Sequence, residues 1–367
     1  MAISLLQMSM MGISSVLNEI SISFPNEKIS TIQLLAVLPD LFIVVSTICV
    51  GRILSKISKR NILLFSSVLF ILTSIGGMFF HNDINSLLIT SGILGVAIGT
   101  MMPTVASLID DTYNGEEKEK VLGIQSSVVG IGGVLISIIA ILLASARYYN
   151  AYLIYLWGIP CAILSVLFIK VRKDDKRKRN PINIKWTVFY ALYAFVFFSI
   201  FNCISTNASI LLIDKGLIKP IYPALVIAAT LLGSSFSGLF YLNIKKIFNH
   251  SMTLGIINLV IGLLILSISD HIFLIISGAF IAGTSLSLVL VSITNELLSI
   301  TNDEAVSIMY SGSDLGGFIT VFYTVLFERL SISNIEIRML MIAGFTVVIF
   351  VLFGLVKKKM VIKDNVY

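Results

Sequence analysis

Twelve stretches of predominantly apolar residues, most of them about twenty long, limit the possible folds of this chain more tightly than any other feature of it. They run over roughly 2–18, 31–51, 61–80, 87–109, 121–144, 151–169, 187–208, 222–241, 251–269, 272–294, 305–327 and 339–356. A helix needs about 20 such residues to cross a hydrocarbon core. Only helices and closed barrels can span lipid, because every backbone polar group must find its partner inside the structure. Long unbroken runs, rather than alternating ones of about ten residues, select helices over a barrel. Composition agrees: 57% of residues are hydrophobic and 13% charged, whereas soluble domains carry about 45–50% and about 25%. In water such a chain would expose large apolar patches. The first run lacks the charged leader and small-residue cleavage site of a signal peptide, so it is expected to be a retained helix.

The cations orient the spans. With the N-terminus inside, the inner loops 52–60, 110–120, 170–186, 242–250 and 295–304 and the tail from 357 hold 20 of the 26 Lys and Arg residues. The outer side holds Lys28, Arg147, Lys215, Lys219, Arg329 and Arg338. That bias follows the positive-inside rule, and the even span count puts both termini in the cytoplasm. It also gives the net charge of +6 a topological origin rather than a nucleic-acid one. Aromatics interleaved with a basic groove, which single-strand binding requires, are absent. Cys49, Cys161 and Cys203 lie far apart inside apolar runs, so neither a disulfide framework nor a zinc site is expected. His81, His250 and His271 fall at run ends with no ligand spacing between them, and no metal or other cofactor is expected.

The most basic loop, "KVRKDDKRKRNPINIKW" (170–186), divides the runs six and six. It reads as a linker between an N-terminal six-helix unit, 1–169, and a C-terminal one, 187–356, with a cytoplasmic tail over 357–367. A repeat supports the division: "DDTYNGEEKEKVLGIQSS" (110–127) aligns without gaps on "NELLSITNDEAVSIMYSG" (295–312). Val121 falls on Val306, Ser126 on Ser311 and Gly132 on Gly317. Parallel repeats of this kind imply two bundles related by an axis along the membrane normal, with a binding site between them.

Three stretches resemble the major facilitator superfamily of secondary transporters, in its bacterial drug-efflux-like branch. "FPNEKISTIQLLAVLPDLFIVVSTICVG" (24–51) is similar to the passage from the first helix to the second. "GRILSKISKR" (51–60) resembles the signature loop between helices 2 and 3, with Gly51, Lys56, Lys59 and Arg60 in place. "GILGVAIGTMMP" (92–103) resembles helix 4. The chain departs from the pattern at Ser55 (usually Asp), Ser58 (usually Gly) and Ser91 (often Arg), and "GIGG" (130–133) lacks the Gly-Pro pair of antiporters. The resemblance implies an all-α membrane fold of twelve helices in two pseudo-symmetric bundles. It places helices 2 and 11 side by side at the seam. It also implies a gate in which Lys56 or Arg60 pairs with Asp110 or Asp111 to close the inner mouth.

Two acids lie deep within runs: Asp40 in "AVLPDLF" and Asp314 in "SGSDLGG". Ionisable groups at that depth are costly and are functional candidates by default. Desolvation disfavours the charged form of a carboxyl, so such a group can bind and release a proton as water access alternates. The structural alternative for Asp40 is a bond to backbone amides freed by Pro39; for Asp314, a bond across a glycine-rich helix contact. Gln125, Asn202, Asn207 and Tyr310 either line a central cavity or bond between helices, and Tyr190, Tyr193, Phe198 and Phe201 either wall the site or pack. The expected function is proton-coupled transport of a small molecule by alternating access, as efflux of amphipathic compounds or, alternatively, uptake of a nutrient such as a sugar or organic acid. No Lys or Arg lies within a run, which disfavours an obligate anion carrier. No catalytic constellation or long loop supports an enzyme, and the tail is too short for a signalling module. The expected setting is a bacterial cell membrane, with the protein working as a monomer.

Overall fold

A computed structural model of the chain describes residues 1–54, 56–169, 181–217, 219, 221–329 and 334–364. Ser55, most of the basic linker and the last three residues lie outside these limits. Among the described residues every regular element is helical. A 3-10 stretch, Ala2–Met8, precedes α1 (Met10–Ser14) and α2 (Leu17–Ser23). Then come α3 (Ile29–Ile53), α4 (Lys59–Phe79), α5 (Ile84–Thr112) and α6 (Gly115–Ala144). A second 3-10 stretch, Tyr148–Trp157, leads into α7 (Gly158–Phe168). After the linker follow α8 (Ile184–Asp214), α9 (Ile221–Leu239), α10 (Tyr241–Phe248), α11 (Ser251–Ile268), α12 (Ile272–Ile300), α13 (Asp303–Arg329) and α14 (Ile335–Asp364).

Ten of these segments are long and apolar enough to cross a membrane. The broken first run and the more polar α13 complete the twelve. The first run is the one that departs from a single helix. Its hydroxyls turn back on the chain: Ser14 donates to the Met10 carbonyl at 3.1 Å and Ser15 to the Gly12 carbonyl at 2.9 Å. Such bonds compete with the helical ladder. Trp157 and Tyr155 then stitch the segment to the sixth run by donating to the Ala2 and Ser9 carbonyls. The sixth run is likewise 3-10 up to Trp157. Pro160, in the first turn of α7, has no N–H for a continuous α ladder, and its ring excludes the carbonyl four residues back. The eighth run ends early, at Leu239, and α10 carries its last residue as a separate short helix.

The helices divide into two groups. In the first half α5 packs on α3 and α4, and α6 on the N-terminal 3-10 stretch; in the second α12 packs on α9 and α11, and α13 on α8. The buried apolar core divides with them, one cluster around Leu94, Ile98 and Tyr152 and the other around Phe197, Leu259 and Val289. The halves meet along two seams, α3 on α13 and α6 on α9. Large apolar side chains face outward in number; α14 alone exposes Phe345, Val348, Val351, Leu352 and Leu355. On a soluble protein such a belt would be an aggregation surface, and here it is the lipid face.

Within the second half α9 and α12 approach until backbone touches backbone. A Cβ on Gly283 would stand 2.0 Å from the Thr230 carbonyl oxygen, and one on Gly233 2.0 Å from that of Phe280. Helix packing in lipid depends on such small residues. Gly283→Ala should therefore cost about 1–3 kcal/mol, the usual penalty of overpacking. It should lower the thermal midpoint of the detergent-purified protein. Gly354→Ala, where an added Cβ meets nothing within 4 Å, should leave that midpoint unchanged or raise it.

Candidate functional site

At the face bearing the loop 52–60, one lysine joins the two halves. Ser58 caps α4, its hydroxyl accepting from the Asn61 amide at 3.4 Å, and this makes Lys59 the first helical residue. The Lys59 side chain is only 8% exposed; its Nζ lies 2.7 Å from Asp111 Oδ2 and 3.7 Å from Asp303 Oδ2. It also donates to the Ser107 carbonyl at 2.7 Å. Ser107 and Asp111 stand one turn apart on α5, so both face the same ammonium. Asp303 opens α13, in the opposite half. Beside it Arg52, at the end of α3, approaches Glu304 at 3.7 Å.

This corrects the expectation that Lys56 or Arg60 makes the contact. The cap at Ser58 sets the helical phase. Lys56 precedes it in the turn and is exposed. Arg60 lies about 100° further round the helix; its Nε is buried with no acceptor. Asp110 receives Lys118 at 3.0 Å rather than a cation of the loop. Gly51 permits the close approach, since a Cβ there would come within 2.7 Å of Ser307 on α13.

A second connection was missed at the sequence level. Glu119, near the start of α6, accepts from Lys245 on α10 through both carboxylate oxygens at 2.5 Å, and from the Asn295 amide on α12 at 2.8 Å. Lys246 pairs with Glu116 at 2.9 Å. The signal was present in the repeat: the offset that carries 110–127 onto 295–312 carries Glu119 onto Glu304. A further signal was the loop 295–304, which holds Glu296, Asp303 and Glu304 and no cation, opposite a loop rich in cations. Every ion pair between the halves, among the described residues, lies at this one face.

Deeper along the same seam the Ser311 hydroxyl donates to the Val44 carbonyl at 3.3 Å. One turn further in from each stand Asp40 on α3 and Asp314 on α13. Tyr310 lies one turn before Asp314 on α13 and is buried. No hydrogen bond or ion pair reaches either carboxyl among the described residues, and Asp314 Oδ2 is buried. The local bonds that would make these acids purely structural are therefore not formed.

The softer candidates scatter. Gln125 bonds to Gln7 at 2.8 Å inside the first half, and Asn207 donates to the Cys203 carbonyl at 2.9 Å within α8. Asn202 lies at the α8–α13 contact, its amide nitrogen 2.8 Å from where a Cβ on Gly317 would stand. Tyr190 donates to Glu296, which also takes Lys357 at 2.5 Å, and Tyr193 packs edge-on against Phe350. Phe198 and Phe201 pack on the same core cluster, so these aromatic side chains belong to the packing of the second half.

Residues 1–321 match the Major Facilitator Superfamily. The multidrug transporter protein MdtP of Bacillus subtilis (strain 168) is 24% identical over 134 residues, a stretch that makes up 36% of this chain and 24% of that protein. The proton:xylose symporter XylE bound to 6-bromo-6-deoxy-D-glucose superposes with a TM-score of 0.70 at 12% identity, over 94% of this chain and 92% of that one. The human organic anion transporter MFSD10 (TETRAN) superposes with a TM-score of 0.73 at 10% identity, over 96% and 98%. At such identities the superpositions establish the fold and leave the cargo open. With all-helical halves joined along α3–α13 and α6–α9, and a family match over most of its length, the chain belongs to the Major Facilitator Superfamily of membrane transporters.

Proposed function

We propose that the chain is a proton-driven secondary transporter of a bacterial cell membrane, with both termini cytoplasmic, which exports small amphipathic compounds as a monomer. The observation that carries this reading is the pair of acids without hydrogen-bond partners among the described residues, Asp40 and Asp314, each one turn in from the Ser311–Val44 contact on the two helices of the α3–α13 seam. Two negative charges close together in a low-dielectric seam repel strongly, and a proton on either removes the repulsion. Proton binding there acts on both halves at once, which is what coupling to a rocking motion requires. The proton gradient is the energy source, and no cofactor takes part. The short match to a multidrug transporter supports efflux over uptake. A positively charged amphipath would meet two unpaired carboxyls at the seam and no competing Lys or Arg within the runs.

Lys59 and Glu119 serve as latches of the cytoplasmic mouth. Removing one member of a buried ion pair costs about 3–5 kcal/mol because the remaining charge is left uncompensated. The exposed Arg52–Glu304 contact contributes about 0–1 kcal/mol. The Lys59 cluster therefore dominates the first latch; only its Asp303 contact crosses between the halves, so its removal biases the two-state equilibrium by a part of the buried-pair cost.

Two outcomes are expected. In proteoliposomes bearing an imposed proton gradient, Asp40→Asn and Asp314→Asn should each reduce accumulation of a transported compound to passive equilibration, with downhill exchange retained. Concentrative transport persisting in both variants would remove the coupling assignment. Separately, spin labels at Lys56 and Ser299, in a background without Cys49, Cys161 and Cys203, report the spacing of the two halves at the cytoplasmic face. Lys59→Met should move the distance distribution toward longer values; an unchanged distribution would show that Lys59 is no latch.

A further inference from the structure

On the face opposite the latches, three separate stretches converge on a cleft of about 450 Å³. Phe24 follows the end of α2, His81 and Asn82 come from the turn between α4 and α5, and Arg147, Tyr148 and Tyr149 from the start of the second 3-10 stretch. Its frame is specific. The Tyr148 hydroxyl donates to the His81 carbonyl, and its ring packs edge-on against Phe24 with centroids 6.0 Å apart. The His81 ring stacks on Tyr149 at 3.9 Å. His81 Nδ1 lies 2.8 Å from the Met78 carbonyl. A carbonyl only accepts, so Nδ1 carries the hydrogen and Nε2 is left without a partner.

Arg147 is the cation of this cleft. Its guanidinium lies 5.9 Å from the Tyr149 ring centroid, and Nη1 donates to the Tyr149 hydroxyl at 2.5 Å. That bond uses one of five N–H donors in a planar fork. Among the described residues no carboxylate pairs with Arg147. The acid nearest in sequence to the His81 turn, Asp83, is occupied: its oxygens accept from the Ser86 hydroxyl at 2.8 Å and from the Ser86 and Asn85 amides at 3.0 and 3.2 Å. The Ser86 bonds first, then Asn85, hold its carboxyl below the usual carboxylate range, so it stays anionic as the cap of α5. The cleft thus presents one uncompensated guanidinium, positioned by stacked rings, with neutral polar groups beside it.

We propose that this cleft binds a phosphate group. A guanidinium fork matches phosphate bidentately, which a point charge does not. Tyr149 and Asn82 supply neutral donors, and His81 Nε2 adds a further polar ring atom beside them. The phosphate comes either from solution, as the inorganic ion or a phosphorylated solute, or from the headgroup of an anionic lipid at the membrane surface. This site is independent of the proton-coupled seam.

The test uses the purified full chain with two probes. Inorganic phosphate is titrated in detergent against chloride at equal ionic strength, read as a saturable rise in melting temperature. Retention of phosphatidylglycerol over phosphatidylcholine is read by native mass spectrometry from mixed nanodiscs. Arg147→Gln should weaken the phosphate-dependent response roughly tenfold or more, and Arg147→Lys, which keeps charge but loses the fork, by several-fold. Asn82→Ala, an exposed turn substitution, gives a second variant whose folding does not rest on the ring stack, and it should weaken the response less. A response to the free ion assigns a solute site, and selective retention of phosphatidylglycerol a headgroup site. If neither probe binds wild type more tightly than Arg147→Gln, the proposal is overturned.

Discussion

In hydrocarbon a buried hydroxyl has no water to turn to, and in this protein it turns to its own helix. Ser66, Ser67, Thr104, Ser267, Ser292 and Thr346 each donate to the carbonyl four residues back. Every such bond removes a polar group from the cost of burial without needing a partner helix. The helices can therefore carry serine and threonine deep into the membrane and still slide or rock against one another. A carboxylate has no hydrogen to donate and cannot be quieted in this way. Asp40 and Asp314 stand out for that reason: they are acids deep in spans whose serines and threonines largely bond to their own helix.

The same constraint fixes how the halves are joined. Along α6–α9 the contact is made by short side chains and backbone. A Cβ on Gly123 would stand 2.5 Å from the Gly238 carbonyl oxygen and Ser127 donates to the Ser235 carbonyl, while beside this contact Ser126 meets Ser287 of α12 at 2.6 Å. Hydrogen bonds between helices in lipid contribute about 0.6–2 kcal/mol each. A buried ion pair, by contrast, costs about 3–5 kcal/mol to break one-sidedly. The seam itself thus holds its alignment weakly, and under the proposed function the charged clusters at one end act as its seal. Among the described residues no ion pair joins the halves at the opposite face.

Much of this was legible in the residues, and the reasons for the remainder are physical. Hydropathy located all twelve runs because lipid imposes a length that no other solvent does. It did not show that the first run would break into three, because that depends on Ser14 and Ser15 competing with the ladder and on Tyr155 and Trp157 reaching in from a run more than a hundred residues away. The basic loop was recognisable as the point of contact with α5, but not which cation makes it. A difference of one residue in helix start turns Lys59 inward and Arg60 aside, and sequence periodicity does not locate a cap that closely. Gln125, Asn202 and Asn207 were legible as polar and intramembrane. Their partners, Gln7 and the Cys203 carbonyl among them, are set by packing that no local pattern encodes.

The repeat gives the latches a common logic. Glu119 and Glu304 occupy equivalent positions at the starts of α6 and α13, and each faces a cation of the other half. Lys245 stands in the second half where Arg60 stands in the first, one position from Lys59. Each half thus offers an acid from the start of its fifth span and a cation from the segment between its second and third. The two contacts are reciprocal rather than identical: the first buries its ammonium between Asp111 and Asp303, while the second leaves Lys245 38% exposed with Glu119 at 11%. A rigid rotation of one half against the other lengthens both together, so neither can hold the face closed alone once the other yields. The unequal burial then sets the order of cost. On the proposed latch reading the more buried Lys59 contact is the costlier one to part, and the Glu119 contact, nearer to water, the cheaper.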